Sequence, residues 1–390
     1  MAVNCHGRAR AVVSDLMGTP AEAEALAPIR SIPALESKAA AKKHGQIPSL
    51  DGLRAVAFLI VFISHAGWQS VIPGGFGVTI FFFLSGFLIT TLLREEIARH
   101  GEIDFRRFYA RRVLRIWPPF YLVLALATVA ALGGLLAMQL NRPAMLALIF
   151  HFTNYRSIAA GVEGMPPGTG VYWSLAVEEH FYLVFPLLLT GIHRWRLSAK
   201  NQATLLWGIC VAVLAWRTVL VLGMGSPPIR TYMGSDTRID SLLFGCALAL
   251  YGNPSKDSSR FQDQTWKFVL LPLGVACLLL TFVIRSDAFR ETIRYSLQGV
   301  ALVPVFVTAI RFPEWGAGRI LNWSWVRGIG VLSYSLYLIH LCALHAFQEG
   351  LGFPKVTGAV LALIATLFLS LGIYLLIERP LAAVRRRLSR

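Results

Sequence analysis

Ten mostly apolar runs of about 17 to 23 residues succeed one another along this 390-residue chain. They lie near positions 50–68, 76–93, 118–140, 173–192, 203–222, 233–251, 268–284, 293–310, 328–347 and 356–377. A helix of about 20 such residues crosses the hydrocarbon layer of a bilayer. In lipid the backbone must satisfy its own hydrogen bonds, which a helix does within one segment. The expected fold is an all-α polytopic membrane protein with ten transmembrane helices. An eleventh run, 144–152, has nine residues and is too short to cross.

Charge sets the expected orientation. If 144–152 does not cross, both termini are cytoplasmic. The cytoplasmic tails and loops then hold 27 of the 37 Lys and Arg residues, and the outer loops hold six: Arg142, Arg156, Arg230, Arg285, Arg290 and Lys355. That is the bias membrane proteins show. A crossing at 144–152 would send the basic loop from His193 to Lys200 and the Arg-rich C-terminus outside. The segment is therefore expected to be a re-entrant or interfacial piece of an outer loop. The same bias explains the net charge of +16 without a nucleic-acid partner.

Residues 1–45 are Ala-rich, mixed in charge and without the apolar stretch of a signal peptide, so a disordered cytoplasmic tail is expected ahead of one membrane domain over 46–390. Cys210, Cys246, Cys277 and Cys342 fall inside apolar runs, where a thiol packs as a small hydrophobe. No Cys and His spacing marks a metal site, and none is expected.

Ionisable residues within the runs carry the functional signal. Arg54 and His65 share the first. Eleven residues at 100° each put them about 20° apart around a helix and about 16 Å apart along it. Arg54 is expected at the cytoplasmic mouth and His65 towards the outer side. Snorkelling and a plain interhelical hydrogen bond would also account for them, but charges inside spans are costly and commonly functional. Arg112 and Arg115 are i,i+3 neighbours just before a Pro-Pro pair that reads as a helix stop. They suit an interfacial helix on anionic lipid as well as a phosphate clamp, since Arg forks match phosphate oxygens.

In the fourth run Glu178 lies about 7.5 Å below Trp173, close to the depth expected of His65. A carboxylate beside an imidazole orients it and raises its basicity; a structural pair joining two helices is the alternative. Glu179 is expected to face a neighbouring helix or the outer water. Arg238 and Asp240 fall in the outer half of the sixth span, where they bind an acceptor or pair with each other. Ser333, Tyr334, Tyr337 and His340 read as polar glue between helices. Glu378 and Arg379 read as structural at the inner interface.

In this order the motifs resemble those of the acyltransferase 3 family over roughly residues 47–387. They are Leu-Asp-Gly-Leu-Arg, Arg54-x10-His65, Arg112-x-x-Arg115, Trp-Ser-Leu-x-x-Glu at 173–178 with Phe181-Tyr182, Thr-Arg-Ile-Asp at 237–240, Ser333-Tyr334 to His340, and Glu378-Arg379-Pro380. His180 stands where the family often has Gln, and Phe120 where it often has Tyr. The resemblance implies ten transmembrane helices and acyl transfer, commonly of acetyl, from acyl-CoA to a hydroxyl of a cell-surface glycan or a secondary product. It also implies function for Arg54, His65, Arg112, Arg115 and Glu178. Many relatives carry an extracytoplasmic esterase-like domain. Here 13 residues follow Ile377, so a second transfer step is expected from this domain or from a separate extracytoplasmic partner.

The expected protein is a multi-pass enzyme of the inner membrane with no permanently bound cofactor. Arg54, Arg112 and Arg115 hold acyl-CoA, with acetyl-CoA the expected donor. His65 and Glu178 do the chemistry. Arg238 and Asp240 meet a carbohydrate or lipid-linked glycan acceptor. The rival class is a proton-coupled exporter using His65 and Glu178 as a relay; a lipid-binding scaffold is a third.

Overall fold

The computed structural model describes residues 47–134 and 140–388. The expected tail lies outside the described residues, as does the far end of the third apolar run. Every regular element among the described residues is helical. Helix α1 (Pro48–Ile63) passes into a π-turn at Ser64–Trp68 and is followed by α2 (Gly74–His100) and α3 (Phe105–Leu132). Two short helices, α4 (Arg142–Ile149) and α5 (Thr153–Ala160), lead to α6 (Trp173–Arg194). Then come α7 (Ala199–Thr218), the short α8 (Pro228–Met233) and α9 (Ser235–Leu250). The long helices α10 (Leu271–Val283), α11 (Ile293–Arg311), α12 (Ser324–His345) and α13 (Lys355–Ile373) precede a basic α14 (Arg379–Arg387).

Among the described residues, nine helical stretches are long and apolar enough to cross a membrane, and they coincide with nine of the ten expected spans. Their outward faces carry large apolar side chains: Phe368 is 72% and Leu376 80% exposed. An apolar surface repeated on helix after helix is one that lipid, not water, covers. This is a multi-pass membrane protein.

The remaining run, 233–251, is α9. It has 16 residues, about 24 Å at 1.5 Å per residue, shorter than the usual crossing of about 30 Å. Gly234 is extended at its start and Tyr251 at its end, so the helix stops at both. Every residue from Asp240 to Leu250 is buried, with α2, α7 and α11 as neighbours. A Cβ on Gly86 of α2 would overlap the Leu242 carbonyl, and one on Gly245 of α9 would overlap the Phe83 carbonyl. The two bare positions let the backbones touch, as small residues do between membrane helices. Helix α9 is thus the centre of the bundle.

Two local expectations meet different outcomes. Segment 144–152 forms the eight-residue α4, about 12 Å long, and does not cross. His151 turns the chain back with φ 56° and rests on the Phe120 ring at 4.5 Å. Burial lowers its pKa to about 4, so it packs as a neutral ring. Pro118-Pro119, by contrast, does not stop a helix: α3 runs straight through both. Proline removes backbone donors and leaves carbonyls of the preceding turn open. The carbonyls so freed are those of Leu114 and Arg115, four residues before each proline; next to them the Tyr334 hydroxyl donates to the Ile116 carbonyl at 2.8 Å. Arg112 and Arg115 therefore sit within a long bundle helix.

Candidate active site

Three helices bring the charged residues to one cavity. Arg54 of α1, Arg112 and Arg115 of α3, and Glu178, Glu179 and Tyr182 of α6 line a single cavity with Phe82 and Ser85 of α2 and Tyr334 and Tyr337 of α12. Its free volume is about 90 Å³, well below the several hundred Å³ of an open ligand pocket. Arg54 is held by Asp51 at 3.1 Å. Arg112 stands 5.8 Å from the Phe108 ring and 5.9 Å from the Tyr182 ring, and its buried Nε has no hydrogen-bond partner. Arg115 makes no hydrogen bond or ion pair among the described residues. Glu178 accepts from Ser85 at 2.8 Å and from Tyr182 at 3.2 Å. Three guanidinium groups with spare donors around one small space can grip a multiply charged anion.

His65 is not in that cavity, and the expected pair with Glu178 does not form. His65 Nδ1 lies 2.9 Å from Nε2 of His340 instead. The π-turn begins at Ser64, so the depth and direction extrapolated from a regular α-helix fail just where His65 stands; such turns occur often at functional sites. His340 is wholly buried against Phe58, Phe62 and Tyr337. Its Nδ1 is 2.7 Å from the Tyr337 carbonyl oxygen.

These two contacts fix the tautomers. A carbonyl can only accept, so His340 Nδ1 carries the hydrogen. With no carboxylate bonded to either ring, both are assigned as neutral. The bare Nε2 of His340 then accepts from His65 Nδ1–H, and the lone pair of His65 is left on Nε2. Tyr337 lines the arginine cavity, and His340 follows it by one helical turn. The histidine pair therefore stands just beyond the far wall of the arginine cavity.

Arg238 and Asp240 neither pair with each other nor share a surface. Asp240 is fully buried in an ion pair with Arg217 at 2.7 Å and also accepts from Ser296 at 2.9 Å. Arg217 further donates to the Thr237 and Thr292 carbonyls. Arg238 is equally buried, but its guanidinium has no carboxylate. It donates to Thr79 Oγ1 at 3.0 Å and the Tyr232 carbonyl at 3.2 Å, and it lies 4.1 Å from the Tyr295 ring centre. Linear order does not reveal the partner of Arg217, because α7 and α9 meet only in three dimensions. Glu179 lines the arginine cavity and also meets Trp117 of the neighbouring α3, as the expectation of a neighbouring helix allowed. His340 was read as glue; only its ring contacts distinguish it. Glu378 accepts from Ser335, in keeping with a structural reading.

A family-wide sequence profile described as an acyltransferase domain matches residues 47–377. The chain belongs to the acyltransferase 3 family. YrhL of Bacillus subtilis is 31% identical over 352 residues, covering 87% of this chain and 55% of its own. The peptidoglycan O-acetyltransferase OatA of Listeria monocytogenes is 30% identical, covering 86% of this chain and 56% of its own. The O-acetyltransferase OatA of Staphylococcus aureus is 33% identical over 306 residues, covering 75% of this chain and 50% of its own. The chain thus spans about half the length of the curated relatives it matches. No solved structure matches it. All the candidate residues lie inside the acyltransferase 3 match.

Proposed function

We propose that this protein is an inner-membrane O-acyltransferase that moves an acyl group, acetyl in the relatives' names, from cytoplasmic acyl-CoA to a hydroxyl of a carbohydrate acceptor. The observation that carries the reading is the convergence of Arg54, Arg112 and Arg115 on one cavity, with His65, in the π-turn that continues α1, beyond its far wall. The arginines hold the phosphates of the donor. The cavity is too small for a whole CoA, so the helices part around the pantetheine arm, which runs past Tyr337. His65 Nε2 takes the proton of the acceptor hydroxyl, the alkoxide attacks the thioester carbonyl, and CoA leaves as its thiolate. His340 holds the ring that Glu178 was expected to hold. Glu178 remains in the proposal as the carboxylate of the arginine cavity.

Purified protein should open the thioester of acetyl-CoA, by transfer or by slow hydrolysis. A protein that moves protons or glycans yet leaves the thioester intact would return the exporter reading.

Arg115→Ala should weaken acetyl-CoA binding by about one to two decades, since a charge-assisted hydrogen bond is worth roughly 1.5–3 kcal/mol. Arg115→Lys should restore only part, because it keeps the charge but loses the planar fork. Headgroup anchoring predicts full rescue by Lys and poorer insertion; calorimetric titration of the detergent-purified variants decides.

Ten crossings with both ends cytoplasmic complete the proposal, α9 being a short crossing shielded from lipid. In a chain stripped of its five native cysteines, Arg156→Cys and Arg285→Cys should react with an impermeant thiol reagent added outside intact cells. Ser258→Cys and Arg319→Cys should not. External labelling at Ser258→Cys rules this topology out.

A further inference from the structure

Away from the arginine cavity, beside the π-turn after α1, lies a second and larger cavity of about 590 Å³, within the range that holds a small ligand. Its walls come from the π-turn and the loop after it, α8, the end of α10 and the start of α11. Tyr232 and Tyr295 contribute aromatic rings and Gln69 an amide, while the Gln298 amide is engaged by Thr79 and Thr281; rings and an amide suit a sugar bearing hydroxyls. Ser64, the residue before His65, is part of the wall, so the cavity reaches the turn that carries the histidine.

Its charge is unbalanced. Arg285 and Arg290 line it, and their side chains make no hydrogen bond or ion pair among the described residues. Glu291 is the one carboxylate of the lining. It already accepts from Thr231 at 2.6 Å and has Arg294 at 3.7 Å. Behind the tyrosines sits Arg238, buried without a carboxylate, its Nε unpartnered; its guanidinium is 4.1 Å from the ring centre of Tyr295 and 5.7 Å from that of Tyr232.

Topology does not explain these cations. The bias that collects Lys and Arg on the cytoplasmic side disfavours them on the outer side. Of the six expected there, Arg156 is engaged by the Gly161 and Glu163 carbonyls, Arg230 by Asp236 and Lys355 by the Gly67 carbonyl. Arg142, Arg285 and Arg290 make no such bond among the described residues, and of these three only Arg285 and Arg290 present their forks to a cavity, the group with which proteins grip carboxylate and phosphate.

We infer that this outer cavity binds the acceptor glycan by an anionic group, a carboxylate or a phosphate, gripped by Arg290 and Arg285 while the sugar lies against Tyr232 and Tyr295. The inference rests on the acyl-transfer reading and adds that the acceptor is acidic. The full-length protein in neutral detergent is titrated with the disaccharide of N-acetylglucosamine and N-acetylmuramic acid, which has a free carboxylate, and with its methyl ester. The acid should bind roughly tenfold tighter or more. That preference should vanish in Arg290→Ala, return in part in Arg290→Lys, and persist in Arg142→Ala, an outer arginine outside the cavity. Sodium pyrophosphate that displaces the acid from wild type, but does not bind Arg290→Ala, assigns the natural anion to the diphosphate of a lipid-linked glycan; failure to displace it assigns a sugar carboxylate. Equal affinity for acid and ester overturns the inference, as does displacement by phosphatidylglycerol at near-equimolar levels, which would make the cavity a headgroup site. Acetyl-CoA cleavage is measured on the same preparation. Cleavage without acid preference refutes this inference alone, whereas an Arg290-dependent preference without cleavage refutes acyl transfer and leaves an anion site.

Discussion

His65→Ala should lower turnover of acetyl transfer by about 10² to 10⁴-fold, the usual cost of losing a general base, in a protein that still inserts and still binds acetyl-CoA. With these tautomers, His340 sets the orientation of the His65 ring. His340→Phe keeps an aromatic body among Phe58, Phe62 and Tyr337 but removes the acceptor facing His65 Nδ1. The His65 ring then loses its fixed orientation and the tautomer that exposes Nε2, so kcat should fall with little change in KM. His340→Gln can supply an amide oxygen to the same Nδ1–H and should recover part of the loss, which a purely packing residue would not do. Glu178→Gln should not reproduce this pattern, because Glu178 is bonded to Ser85 and Tyr182 in the arginine cavity. Its effect should fall on acetyl-CoA binding. Near-normal turnover in His65→Ala, or equal loss in the Phe and Gln variants of His340, would remove the histidine pair from the mechanism.

Asp240→Ala should destabilise the fold by roughly 3–5 kcal/mol, the cost of breaking a fully buried ion pair and leaving one charge alone. Arg217 would be that charge, held among backbone carbonyls of α9 and the turn before α11. The expected readout is a large fall in melting temperature in detergent, with weaker expression, and no selective loss of acceptor binding. Replacing both partners by apolar residues of similar size, Arg217→Met with Asp240→Leu, should recover most of the stability, since the desolvation cost then disappears for both charges. If Asp240→Ala instead melted normally and lost only acceptor affinity, the residue would belong to the ligand site after all.

The two arginine-bearing regions divide along the same line. Arg115 makes no hydrogen bond or ion pair among the described residues and can meet a ligand. Arg217, a charge within an apolar run, is wholly consumed by the structure. Sequence position ranks both as charges inside or beside a span; only the neighbours separate them.

The linear sequence by itself determined what depends on length and local composition. Helices of about 20 apolar residues, their number to within the short α9, the failure of 144–152 to form a long helix, and the residues worth testing all follow from local rules of burial and backbone hydrogen bonding. Tertiary structure decided what depends on which helices meet. It put Glu178 with the arginines and His340 with His65, because the π-turn at Ser64–Trp68 redirects the histidine and no periodicity signals such a turn. It carried α3 through two prolines, with Tyr334 from a distant helix serving a carbonyl in the turn they disturb. It paired Asp240 with Arg217 and left Arg238 without a carboxylate, although both acidic and basic partners were visible in the chain. Pairing in a membrane is strongly selected, because an unpaired charge in low dielectric is costly. The identity of the partner is a long-range fact, set by which backbones can approach closely enough, and here the bare Gly86 and Gly245 allow α2 and α9 to do so.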